Sequence, residues 1–241
     1  MSLPDLFAGQ EATWPPAATH RVGPWCIRDG QGGGKRVSAA TATAPVTDAD
    51  IAQAETAMAA LDQDALFMVR PGDEALDGLL ALRGYRIVDP VMILAAPVAP
   101  LAAMPPPPVT AFTVAAPLAI LHEVWAENGI GPARLAVMDR VKGPKTALLA
   151  RQNDRAAGAG FAAIHGTRCF VHALSVSPAH RRQGAAVNMM RAAAGWAQDH
   201  GAETLVVLVT EDNAAARALY ASLGFANVGS YHYRTNAPQG R

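Results

Sequence analysis

The sequence predicts an α/β fold, a mixed and twisted sheet flanked by helices. Three observations carry that reading. Segments with helical apolar spacing alternate with short β-rich runs along most of the 241 residues. The run ETLVVLVT is apolar without alternation, as expected of a central strand buried on both faces. A unit of helix, glycine, aromatic and strand occurs twice: DEALDGLLALRGYRIVDPVMIL lies over NAAARALYASLGFANVGSYHYR at an offset of 140 residues. Leu79 then matches Leu219, Leu80 matches Tyr220, Gly84 matches Gly224 and Tyr85 matches Phe225. Self-similarity of this kind points to two related units.

Each element follows from local chemistry. WCIRDGQGGGKRVSAATA reads as strand, glycine turn and strand, a hairpin. Lys35 at the end of the glycine run suggests a phosphate loop. That motif, however, starts with glycine where Asp29 stands and needs Ser or Thr where Arg36 stands. DADIAQAETAMAALDQ has a polar start and helical spacing at Ile51, Ala54, Met58 and Leu61. ALFMVR is a short strand, GDEALDGLLALRGY a helix stopped at Gly84, and RIVDPVMILAA a strand with a break expected at Pro90. PLAILHEVWAENG and ARLAVMDRVK are helices. KTALLARQNDRAAGAGFAAIHGTRCFVHALSV suggests three strands joined by polar turns. GAAVNMMRAAAGWAQDHG is a helix ending at Gly201, DNAAARALYASLGF a helix with an Asn or Asp cap, and YHYRT a last strand.

Composition sets bounds. With 51% hydrophobic and 17% charged residues, 241 residues can bury a substantial core in one large or two small domains. No apolar run of membrane-spanning length escapes interruption, and MSLPDLFAGQEATWPP lacks the pattern of a secretory signal. Cys26 and Cys169 make neither a disulfide framework nor a zinc site, so a reducing cytoplasm is the expectation. Net charge is zero, but residues 1–108 carry 7 Lys and Arg against 12 Asp and Glu, and residues 109–241 carry 13 against 8. An anionic ligand is better accommodated in the second half, although mutual attraction of the halves explains the asymmetry equally well. The stretch APVAPLAAMPPPPVT favours an extended spacer and marks the expected boundary.

The chemistry concentrates in HRRQGAAVNMM, residues 180–190. A helix N-terminus presents unpaired N–H groups and partial positive charge. Small residues at Gly184, Ala185 and Ala186 let a phosphate approach that backbone, and Arg181 and Arg182 add charge. Surface decoration of a turn is the alternative.

From LSVSPAHRRQG to ALYASLGF, the sequence resembles the acetyl-CoA-dependent N-acetyltransferases of the GNAT superfamily. The family's loop is Arg/Gln-x-x-Gly-x-Gly/Ala, which Arg181, Gly184 and Ala186 fit; its second landmark matches Asn213, Tyr220, Leu223, Gly224 and Phe225. The resemblance covers roughly residues 110–235 and implies a GNAT-type fold, two such domains in tandem. Residues 1–100 would be a degenerate GNAT-like domain, 101–110 a Pro-rich linker, and 111–241 the acetyl-CoA-binding domain.

The resemblance also implies roles. Arg181, Arg182, Gln183, Gly184, Ala185 and Ala186 would hold the pyrophosphate, and the strand at Leu174, Ser175 and Val176 would pair with the pantetheine amides. Asn213, Ala216 and Tyr220 complete the cofactor-binding set. In the family that strand splays from the one matching ETLVVLVT, and the amine attacks the thioester directly. Tyr220 would protonate the leaving thiolate, with core packing as its alternative. His172 in HALSV would relay the substrate's proton, with Phe170 where a second histidine would stand; a satisfied buried histidine is the alternative. Glu211 is a second candidate base. His122, Glu123, Trp125 and Glu127 lie where the acceptor would bind, though a solvated helix face explains the charges as well.

The expected activity is transfer of an acetyl group from acetyl-CoA, a co-substrate, to a primary amine on a small molecule, with no metal, nucleic acid or membrane, by a monomer or homodimer. The competing reading is a non-catalytic acyl-CoA-binding sensor or interaction module.

Overall fold

The computed structural model describes residues 2–238. The first half runs α1 (Leu3–Thr13), β1 (Ala18–Val22), β2 (Trp25–Asp29), α2 (Lys35–Ser38), β3 (Thr41–Ala42), α3 (Asp48–Ala59), β4 (Leu66–Val69), α4 (Glu74–Leu82), β5 (Arg86–Pro97) and α5 (Val98–Ala102). The second runs β6 (Ala111–Val114), α6 (Ala119–Glu127), α7 (Pro132–Arg140), β7 (Lys145–Gln152), β8 (Arg155–His165), β9 (Arg168–Val176), α8 (Ala185–Asp199), β10 (Thr204–Thr210), α9 (Ala214–Ser222) and β11 (Ala226–Thr235). Eight strands form one mixed sheet in the order β4-β11-β5-β10-β9-β8-β7-β6, and β1, β2 and β3 form a small antiparallel sheet.

ETLVVLVT is β10, near the middle of the large sheet. Leu205, Val207 and Val209 enter the core under α8, while Val206 enters the opposite core with Leu6 and Phe7 of α1. Both faces are therefore covered, which is why the run lacks alternation.

The repeat has a structural counterpart. The α4–β5 unit and the α9–β11 unit stand 140 residues apart. Gly84 and Gly224 both take φ 80°, and the N–H of the following aromatic, Tyr85 or Phe225, returns to Leu80 O or Tyr220 O at 3.0 Å. Only glycine adopts that backbone without strain, so each helix stops at its glycine. The two units exchange strands. β4 pairs with β11, β10 pairs with β5, and the registers agree: His232 lies opposite Val69, and Met92 opposite Val209. β5 and β11 meet antiparallel in the centre of the exchange. Strands from before and after the Pro-rich stretch thus interleave in one sheet.

Two sequence expectations are corrected. The glycine run does not make a hairpin tip; it turns into the short helix α2. A Cβ on Gly33 would meet Val137 Cγ2 at 2.6 Å and the backbone oxygen of Gly30 at 3.0 Å, so glycine there lets the loop pack onto α7. β5 is not broken at Pro90. It passes through a bulge, where the register against β11 shifts between Tyr231 and Tyr233, and Asp89 takes φ 45°. Helix α1, not expected from the sequence, covers one face of the sheet through Leu6 and Phe7.

Candidate functional site

The loop 181–184 and the start of α8 form the first part. Arg182 and Gly184 both have positive φ, 58° and 85°, which turns the chain sharply into the helix. Residues Arg181 to Gly184 are exposed. No side chain caps α8 and no acid stands in its first turn, so its leading N–H groups face outward without a partner from the helix. Such an end, with arginines beside it, has the chemistry to receive an anion. Arg181 is fixed by donating from Nε to Val176 O and from a terminal nitrogen to Asn128 Oδ1, both at 3.2 Å.

The second part is a gap in the sheet. β9 and β10 pair in parallel from Arg168/Thr204 only as far as Val171/Val207. Beyond, both strands continue but separate. A bulge in β9, where Ala173 takes φ 51°, drives the departure. Ser177 N–H bonds Ala157 O of β8 at 3.0 Å, so by strand alternation the backbone groups of Val176 and Leu174 face the gap while Ser175 faces β8. An extended ligand there finds an unpaired strand edge.

The third part is a cavity of about 250 Å³ at the separation of the strands. Ala173 and Leu208 line it from the two strands, Tyr231 and Tyr233 from β11, and Trp14 and Arg36 from the first half. His172 sits directly behind it, buried. Its Nδ1 lies 3.0 Å from a guanidinium nitrogen of Arg36, which can only donate, and its Nε2 lies 3.0 Å from Thr13 Oγ1. Thr13 Oγ1 in turn donates to Gly9 O at 2.7 Å. The ring is therefore neutral, with its proton on Nε2. Burial, and secondarily the Arg36 charge, push its pKa well below the usual histidine value.

Tyr220 lies on α9, buried in the core cluster that also holds Ala185 and, at its margin, Leu174 and Val176. Burial pushes its phenol up to about 12, so it keeps its proton across the working range.

Residues 119–225 match the model of the acetyltransferase (GNAT) family.

Those residues resemble a GNAT acetyltransferase domain.

A stretch of 59 residues is 37% identical to the uncharacterized N-acetyltransferase YobR of Bacillus subtilis, spanning 24% of each chain, so about a quarter of that relative's length is matched. A GCN5-related N-acetyltransferase from Kribbella flavida superposes with TM-score 0.70 at 20% identity over 98% of this chain and 95% of its own. A tandem GNAT protein from the clavulanic acid biosynthesis pathway gives TM-score 0.61 at 14% identity, covering 94% and 86%. At these identities the structures show a shared fold.

Within the matched stretch the expected residues separate into groups. Arg181 ties its loop to the end of β9 through Val176 O, Leu174 and Val176 face the gap, and Ser175 faces β8. Asn213 caps α9, its Oδ1 accepting from Ala216 N–H at 3.0 Å, which accounts for both residues structurally. The geometry argues against His172 as a base: its free lone pair is held by Arg36, and protonating it would place a second charge beside a guanidinium. Glu211 is exposed and does not line the cavity. Of the α6 residues, His122, Glu123 and Glu127 are exposed; Trp125 is buried, its Nε1–H donating to Ala173 O at 2.9 Å, so it braces the bulge. The cavity residues Arg36, Asp89, Tyr231 and Tyr233 escaped sequence reading, because glycine-rich loop and strand positions signal turns and core. The one signal was the pair of cations closing the glycine run.

Proposed function

We propose that this chain is an N-acetyltransferase that moves an acetyl group from acetyl-CoA to a primary amine by direct attack. The observation that carries the reading is the uncapped, exposed N-terminus of α8 beside the splayed β9 and β10. Arg181 to Ala186 would hold the pyrophosphate, and the Leu174 and Val176 amides the pantetheine arm. The thioester carbonyl then lies at the strand separation, where the cavity opens from the opposite side.

The amine nitrogen attacks the carbonyl carbon. A C–N bond forms, the C–S bond breaks, the thiolate leaves and the proton of the amine passes to solvent water. Tyr220 donates a hydrogen bond to the departing sulfur. With its phenol near 12 it stabilises the thiolate better than it transfers a proton outright. Catalysis rests on placing the amine and carbonyl in line.

The test is calorimetric titration of acetyl-CoA into wild type and Gly184→Glu, with CoA release followed over a panel of amines. A carboxylate at Gly184 repels pyrophosphate and strains a backbone at φ 85°, so binding falls by at least about 100-fold, or about 2.7 kcal/mol. Binding without turnover of any amine would favour a sensor; absence of binding by a folded wild type would overturn both readings.

A further inference from the structure

The cavity has a wall that the acetyl transfer itself does not require. Arg36 is half-buried, yet none of the ion pairs among the described residues includes it. A guanidinium withdrawn from water without a carboxylate is costly unless something else compensates. Here the partners are neutral. His172 accepts one N–H, and the Trp14 ring lies under the guanidinium carbon at 4.9 Å. The buried chain from Arg36 through His172 and Thr13 to Gly9 O fixes its direction and leaves its other donors unpaired among the described residues. Arg134 lines the same cavity, exposed and without an ion-pair partner among the described residues.

The opposite charge is also present, at one place. Asp89 is the single carboxylate on the wall among the described residues. It sits in the β5 bulge with φ 45°, a conformation that non-glycine residues hold only where the surroundings enforce it. It is paired with Lys35 at the exposed rim. Between the charged groups the wall is apolar and aromatic, with Val91, Ile130, Leu208 and Tyr231. The volume, about 250 Å³, falls below the roughly 300–1,000 Å³ of sites for drug-sized ligands.

We infer that the acceptor is a small amino acid-like zwitterion, an amine that also carries a carboxylate, with the carboxylate paired to Arg36. The inference rests on the acetyltransferase reading and adds the substrate class. Arg36 offers the planar fork that carboxylates match. Asp89 receives the ammonium end before its proton is lost. His172 is a positioning residue, holding Arg36 as a neutral acceptor.

The experiment compares L-phenylalanine, L-phenylalaninamide and phenethylamine as acceptors, and measures calorimetric binding of N-acetyl-L-phenylalanine and N-acetylphenethylamine without turnover. Wild type should favour the carboxylate over the amide and the plain amine by at least about tenfold in kcat/KM, and N-acetyl-L-phenylalanine over N-acetylphenethylamine by a similar factor in affinity. Arg36→Gln should abolish both preferences while acetyl-CoA affinity stays unchanged. His172→Gln, which still offers an acceptor to Arg36, should retain more of the preference than His172→Phe. Equal or better use of the plain amine, an equal loss for both ligand types in Arg36→Gln, or no carboxylate-dependent binding would overturn the inference. If no amine is acetylated yet N-acetyl-L-phenylalanine binds in an Arg36-dependent way, the anion site stands and the catalytic reading fails.

Discussion

Helices α3 and α8 each precede a strand, a glycine-stopped helix and an exchanged strand, but their N-termini are finished in opposite ways. α3 is closed by a capping box: the Thr47 hydroxyl accepts from Asp50 N–H, and the Asp50 carboxylate accepts from Thr47 N–H at 2.7 Å. Asp48 adds a second acid to its first turn. α8 has neither cap nor acid, and two arginines lead into it. A helix end attracts negative charge in both cases. In α3 the chain supplies that charge itself; in α8 it does not. The comparison separates an end closed by its own side chains from one left open.

A companion contrast lies one helix later. Tyr220 occupies the place that Leu80 holds in the first unit, and both are buried. If Tyr220 only packs, as Leu80 does, Tyr220→Phe will be silent. We expect instead a fall of about 100-fold in kcat, with acetyl-CoA affinity and the urea unfolding midpoint nearly unchanged. A silent variant would break the functional half of the comparison.

Transferring the acid from one helix end to the other sharpens it. Val187 stands third in α8, as Asp50 does in α3. Val187→Asp should weaken acetyl-CoA binding about tenfold or more, while favourable charge at the helix end offsets part of the lost packing. Calorimetry and urea unfolding of the same preparation read the two effects. Unchanged binding would remove the anion site from this helix.

The next difference is in how the units are tied down. Asp77 on α4 accepts from Arg234 at 3.0 Å and lies 2.7 Å from His232 Nε2, both on β11. Its counterpart in the second unit is Arg217, which donates to Glu211 O. The Arg234 hydrogen bond, foremost among the causes, holds the Asp77 carboxyl down at about 2, from 3.8. A depressed pKa stabilises the fold above the ordinary value, and the contribution disappears as pH falls from about 4 to about 2. Asp77→Asn should cost about 1–2 kcal/mol at pH 7, with the two unfolding curves converging near the acid end. A constant gap across that range would mean that packing, not charge, is lost.

The smallest effect is at α3. Thr47→Ala should reduce stability by about 1 kcal/mol in urea unfolding and leave acetyl-CoA binding unaltered. A change in binding would join the two helix ends in one site.

The helices and strands of the second half, β6 apart, were legible because each carries its own local signals. Gly201 and Gly224 stop helices, Asn213 starts one, and the unalternating β10 belongs where both faces are covered. The start of α8 was legible for the same reason, since Arg181 to Ala186 are consecutive and Gly184 marks the turn into the helix. His172 was visible as a residue but not as an environment: nothing in HALSV indicates that Arg36 and Thr13, more than a hundred residues earlier, saturate its ring. Asn213 matched a family landmark, yet a cap is what its position supports.

The sequence by itself determined the two helix–glycine–strand units and the helix start at α8, because helical periodicity, capping and glycine stops act over a few residues. Only the tertiary structure decided the strand exchange, the separation of β9 from β10 and the cavity. Those depend on contacts between segments far apart in the chain, which let β5 enter beside β10 and carry Arg36 and Asp89 to the gap.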